Sequence, residues 1–220
     1  GDVINLGLMC DMAHKHGSLT GVQLWYSGIH AINMESREVP RGATQFSSNV
    51  WASRTVYGSE MDDDDIKAVI NMYIEAAKRA EAAGFDILEV SGGDTTLPVQ
   101  FLDRRYNKRT DKYGGSFENR ARFYIELMHA LKKACGDTSA ITTRFEVDTL
   151  MGPDSIQATD EGIGFVELLN KEGICDLWSV KIGDYEEWGE DAGTSRFRKS
   201  GWMTPFVKQV KGVVGNTPVV

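Results

Sequence analysis

Four stretches of the chain place polar or charged residues where chemistry could be done. GVQLWY carries Gln23 in an apolar run that ends in Trp25 and Tyr26. An amide near a strand end can bond the polar edge of a ring, or it can be a core amide satisfied by its neighbours. SGGDTTLP, beginning at Ser91, leads into a run dense in charge and glycine from Tyr106 to Phe123, in which Ser116 is a candidate N-cap. ITTRF sets Arg144 inside an apolar run. A cation there needs a partner: an anion, a polarised cofactor atom or an internal salt bridge. Trp188-Gly-Glu-Asp191 sets an indole beside two carboxylates. Such a pair suits an organic cation, which the ring face attracts and the acid neutralises, although an exposed turn with a packed Trp has the same sequence.

The elements that must position these residues follow from the hydrophobic pattern. Strands are expected at residues 21–25, 85–90, 140–145 and 177–182, with a further strand opening at 217–220. Between them lie helical patterns. The Asp62–Asp65 run stands where a helix dipole favours carboxylates, and Ile66, Val69, Ile70, Tyr73 and Ile74 follow at helical spacing until Gly84. Further helices are expected at 117–134, 160–172 and 204–210. Alternating strands and helices make an α/β protein with a parallel sheet. No GxGxxG follows a strand and no Walker loop is present, which weakens a dinucleotide fold. The long polar loops follow the strands, as on the functional face of a (β/α)8 (TIM) barrel. Four strands and the opening of a fifth are fewer than the eight that close such a barrel. The 220 residues are therefore expected to be part of one larger barrel domain, with parts upstream and downstream missing.

Composition narrows the function. Lys and Arg number 24 against 32 Asp and Glu, a net charge of −8, which argues against a nucleic-acid or anionic-membrane partner. No apolar run reaches the length of a membrane helix, and the first residues lack a secretory signal. Cys10, Cys135 and Cys175 match no zinc or disulfide spacing, and the four His form no ligand pair. Reduced thiols in a cytoplasmic protein and no protein-bound metal within this stretch are the expectation.

YNKRTDKYGGSFENRARF closely resembles the signature of the old yellow enzyme family of FMN-dependent barrel oxidoreductases. GVQLWYSGIHAINMESREVPRG, ITTRFEVDT and IGDYEEWGEDAGTSRF resemble the branch holding the trimethylamine, dimethylamine and histamine dehydrogenases, and the resemblance covers the whole chain. It implies a (β/α)8 barrel of which this chain spans strand three to the start of strand seven, with FMN at the carboxyl ends. It implies that Gln23 bonds the flavin pyrimidine edge and that Arg144 sits near flavin N1. Trp188 would be an aromatic wall of an amine pocket completed by Tyr26, Ser91 and Thr96. Asp94 and Asp191 would be the catalytic acids.

The departures are informative. The second loop of the amine dehydrogenases carries Tyr, His and Tyr where this chain has Ser91, Asp94 and Thr96. The His–Asn or His–His pair and the proton-donating Tyr of ene reductases are also absent. Asp94 is a candidate substitute: a carboxylate facing the flavin could hold a cationic amine or take a proton from it, and the alternative is that it only caps the loop. The resemblance implies oxidation of a methylated or otherwise cationic amine, with electrons leaving through a 4Fe-4S cluster, whose ligands fall outside this chain, to an electron-transfer flavoprotein, in a homodimer when full length. The alternatives are an NAD(P)H-dependent ene or dienoyl reductase on the same scaffold, or a truncated barrel that is catalytically silent alone.

Overall fold

The computed structural model describes residues 2–31, 37–48, 56–184 and 198–220. Its centre is a four-stranded sheet of β1 (Gly21–Leu24), β5 (Ile87–Gly92), β6 (Ala140–Asp148) and β7 (Leu177–Ile182), adjacent in that order and parallel throughout. Beyond β7, Trp178 makes a parallel bridge to Val219, so the expected opening of a further strand is present. Helices α2 (Asp63–Ala82), α4 (Phe117–Cys135) and α5 (Ile163–Lys171) connect the strands.

Alternation along the strands sorts the side chains. Leu88, Val90, Ile141, Phe145, Val147, Trp178, Val180 and Ile182 are buried against the helices. There Tyr124 and Phe165 lie with ring centroids 4.7 Å apart, and Phe145 and Phe165 likewise. Tyr124 reaches the sheet, its hydroxyl 2.5 Å from Thr143 Oγ1. Gly92 makes that approach possible, since a Cβ there would lie 1.6 Å from the Tyr124 hydroxyl oxygen. The opposite face carries Gln23, Glu89, Ser91, Thr142, Arg144, Glu146, Ser179 and Lys181. Sheet, order and covering helices make this a segment of a (β/α)8 barrel, its polar face being the barrel interior.

The helix starts follow local chemistry. The Asp62 side chain accepts from the backbone N–H groups of Asp64 and Asp65, and Asp65 returns a bond to the Asp62 N–H. Ser116 accepts from the Asn119 N–H, as its N-cap position predicts. Several elements go beyond the sequence pattern. Helix α1 (Asp2–His14) precedes β1, and a small sheet of β2 (Arg41–Gly42), β3 (Phe46–Ser48) and β4 (Val56–Glu60) fills the region after Tyr26. A short α3 (Leu97–Leu102) lies within the Ser91 loop. A widened turn, Ala158–Gly162, takes the start expected for α5, because Asp160 leaves helical geometry at φ −138° and ψ −110°. Helix α6 runs Thr204–Val214, four residues past its expected end at 210.

The signature run is mostly a fastener. Arg109 donates to the carbonyls of Ala43 (2.9 Å) and Met61 (2.7 Å), and Asn107 Nδ2 donates to those of Phe101 and Tyr113. Arg120 donates to the Leu102 carbonyl and pairs with Glu161. Buried Gln100 accepts from Ile29 N–H and donates to the carbonyls of Ser27 and Thr95, tying the loop after β1 to the loop after β5.

Candidate active site

The barrel-facing side chains form layers set by the strand register. Gln23, Glu89 and Thr142 share the deepest layer. Gln23 donates its amide N–H to Glu89 at 2.8 Å. Ser91, Arg144 and Ser179 form the next. Arg144 is exposed on this face and makes no hydrogen bond or ion pair among the described residues. The internal salt bridge that its sequence setting allowed is therefore not its partner there.

The outermost layer holds Glu146 beside Lys181, which the loop after β5 covers with Asp94. Lys181 Nζ lies 2.5 Å from Asp94 Oδ1 and 3.6 Å from Glu146 Oε1, and it donates to the Gly183 carbonyl. Glu146 Oε2 accepts the Asp94 backbone N–H at 3.0 Å. The side chain of Glu146 is 0% exposed, that of Lys181 5% and that of Asp94 11%. Gly93 lets the loop close on this pair, since a Cβ there would come within 2.8 Å of Lys181 Cδ. Burial pushes the Glu146 carboxyl well above the usual carboxylate range; Lys181 opposes the shift, while Asp184 and Asp94 add to it. Glu146 therefore holds a proton at pH values where an exposed glutamate has lost one.

The loop itself is strained. Asp94 and Thr95 take successive positive φ angles of 54° and 53°. Asp tolerates this region, but β-branched Thr does not, at a cost of about 1–3 kcal/mol. Fully buried Thr96 donates its hydroxyl to the Ser91 carbonyl at 2.8 Å, which closes the turn. Beyond it, Asp184 accepts from Arg105 at 2.6 Å, and Arg105 also pairs with Asp103 at 2.8 Å. His30 packs edge-on to Tyr106, and burial lowers its pKa to about 4 against the opposing charge of Asp184.

The structure thus brings Gln23, Ser91, Asp94, Thr96 and Arg144 to one side of the sheet. Tyr26 accepts the Leu97 N–H on its carbonyl at 2.9 Å, while its side chain lines a groove of about 530 Å³ with Pro40, Met61, Asp65 and Met72 beside α2 and a second groove with Gln23. Trp188 and Asp191 lie outside the described residues. Sequence reasoning missed Glu146 and Lys181. Glu146 was expected to begin a loop, but β6 continues to Asp148 and keeps it in the strand. A charge inside an apolar run, the signal that singled out Arg144, marks both RFEV and WSVKI.

The polar layers fit an FMN ring system. Arg144 is a cation facing the interior with no anion of its own among the described residues, and the Gln23 amide, bonded to Glu89, lies one layer deeper on the same face. The model of the NADH:flavin oxidoreductase / NADH oxidase family matches residues 1–218. The chain is 42% identical to dimethylamine dehydrogenase of Hyphomicrobium sp., over 100% of this chain and 30% of that protein. It is 35% identical to NADH oxidase of Thermoanaerobacter brockii, over 96% of this chain and 32% of that one. The structure of histamine dehydrogenase from Rhizobium sp. 4-9 superposes with a TM-score of 0.90 at 36% identity, covering 99% of this chain and 31% of the other. The chain thus spans about a third of the length of the curated relatives it matches. It belongs to the NADH:flavin oxidoreductase / NADH oxidase family, on the amine dehydrogenase branch.

Proposed function

We propose that the full-length protein is an FMN-dependent oxidoreductase that oxidises a methylated or otherwise cationic amine, and that residues 1–220 are part of its single barrel domain. The observation that carries this reading is the pairing of two unlike features on one face: Arg144, a cation with no anion among the described residues, one layer below a cluster in which Lys181 lies against both Asp94 and the buried Glu146. Bound FMN would supply the acceptor for a hydride equivalent from the carbon next to nitrogen. Arg144 would stabilise negative charge at flavin N1, and Gln23 would orient the pyrimidine edge. Asp94 would draw the substrate cation, helped by Asp191 and the Trp188 ring. Ser91 and Thr96 stand where the resembled amine dehydrogenases carry Tyr.

The similarity to dimethylamine and histamine dehydrogenases supports the amine reading. The proposal includes a 4Fe-4S cluster whose ligands fall outside this chain, an electron-transfer flavoprotein as acceptor, a homodimer when full length and a cytoplasmic location. Cys10 on α1, Cys135 on α4 and Cys175 before β7 are free and buried, and the proposed cluster would take its ligands from outside this chain. Burial raises Cys135 and Cys175 to about 12, so both stay as thiols. The similarity to an NADH oxidase favours a second reading, a nicotinamide-dependent reductase. Anaerobic mixing of the FMN-loaded full-length protein separates the two. Bleaching of the flavin by a methylated amine supports the first reading; bleaching by NAD(P)H alone replaces it with the second.

A further inference from the structure

The loop after β5 is fastened to β7 at two points. Near its start, Asp94 meets Lys181 on that strand. At its far end, Arg105 Nη2 donates to Asp184 Oδ2 at 2.6 Å, just past the end of β7. The same guanidinium reaches Asp103 Oδ2, from Nη2 at 2.8 Å and from Nε at 3.0 Å, and the Arg105 backbone N–H bonds Asp103 Oδ1 at 2.7 Å. Both carboxylates are fully buried, and the guanidinium lies over the Tyr106 ring, 5.2 Å from its centroid. Arg105 and Asp184 each take part in further interactions as well. Between the two fastenings runs α3, buried along its whole length, with Asp103 as its C-cap and the Asp103 N–H on the Val99 carbonyl at 2.8 Å. Ahead of α3 stands the turn that holds Asp94 and Thr95 at positive φ. Its backbone bonds run from Asp94 N–H to Glu146 Oε2, from Thr96 N–H to the Gly93 carbonyl and from Leu97 N–H to the Tyr26 carbonyl.

We propose that Arg105 is a positioning residue for Asp94: by binding Asp103 to Asp184 it anchors the far end of α3 and so holds the Asp94 turn in its strained conformation over the sheet. A strained β-branched residue such as Thr95 persists only where its surroundings over-determine it. A short helix packed on all sides moves as one piece, so a restraint on Asp103 is also a restraint on Thr96. The planar fork of an arginine reaches two carboxylates in fixed geometry, which a lysine ammonium cannot reproduce. Arg105 thus acts at a distance, through α3, on the acid that the amine reading assigns to the substrate. The inference rests on that reading for the task of Asp94, but not for the clamp itself.

The test compares wild type and Arg105→Lys as FMN-loaded full-length proteins. Hydrogen exchange of the amides of Asp94, Thr96 and Leu97 should be about as slow as that of α3 in the wild type and about tenfold faster in the variant, while α4 and β6 keep their protection. Unprotected turn amides in the wild type, an unchanged turn in the variant, or a loss of protection spread evenly over the fold overturns the proposal. Asp184→Asn weakens the same bridge from its other end and takes the place of Arg105→Lys if that variant does not fold. Kinetics then test whether the clamp works through Asp94. With a methylated amine, Arg105→Lys should lower kcat/KM about tenfold, yet cause almost no further loss in an Asp94→Asn background. Equal losses in both backgrounds overturn the assignment. Failure of the amine reading looks different: methylated amines then leave the wild-type flavin oxidised, and the exchange result stands or falls by itself.

Discussion

Glu146→Gln should reverse part of the protein's pH dependence of stability. In the unfolded chain Glu146 titrates near 4.5, while in the folded chain burial raises it well above that value. Between the two, the native state binds a proton that the unfolded state has lost. Stability of the wild type must therefore fall as pH rises through that window. The slope is ~1.4 kcal/mol per pH unit for one group. Gln has nearly the same shape, can still accept the Asp94 N–H, and carries no titrating proton. The wild type minus variant difference in unfolding free energy should thus decline by ~1.4 kcal/mol per pH unit above about pH 5, levelling off once Glu146 ionises. Titrations remote from the Glu146 cluster cancel in the difference. Urea denaturation of both proteins at intervals from about pH 5 to about pH 8 measures it, at low ionic strength. A flat difference across that range would falsify the claim that Glu146 is protonated in the fold.

Lys181→Met removes the ammonium that lies against Asp94 and the buried Glu146 and should cost about 3–5 kcal/mol, read as a fall in the denaturation midpoint; a loss below about 1 kcal/mol would mean that the pair is solvated. Arg144→Ala should change stability by no more than about 0.5 kcal/mol, because the side chain is exposed and unbonded among the described residues, yet weaken FMN binding or lower the flavin potential. An unaltered flavin rules out the assigned contact. Asp94→Asn should cut turnover of a cationic amine severely with FMN retained, and unchanged kinetics would reduce Asp94 to a loop residue. Gly92→Ala should destabilise by about 1–3 kcal/mol through collision with the Tyr124 hydroxyl, and Tyr124→Phe in the same chain should recover part of that loss.

Much of the scaffold is readable along the chain because its signals are local. The Asp62 cap, the apolar stripe of Ile66, Val69 and Tyr73, and the Ser116 cap each depend on residues within a few positions. The apolar runs around Leu88, Ile141 and Trp178 likewise announce strands buried between sheet and helices. The signature from Tyr106 to Phe123 identifies the family, but its Arg109 and Asn107 spend their bonds on backbone carbonyls of distant loops. What they hold together is not visible in their own order. Helix α3 and the strands β2 to β4 were missed for a related reason: they are short and their stability comes from contacts such as Gln100 with Ile29.

The residue types Gln23, Asp94 and Arg144, and the strands or loops that bear them, were determined by sequence alone. Which of these residues meet was not. Parallel pairing sets Glu146 opposite Lys181, residues separated by a whole helix and its loops, and the turn at Asp94 lays a third charge on the pair. Whether a carboxyl in that position is ionised depends on the water excluded and the charges assembled around it, both products of tertiary packing. The pattern of apolar runs could therefore predict a barrel and name its polar positions, while only the register of the sheet turned three separate charges into one buried site with a proton to lose.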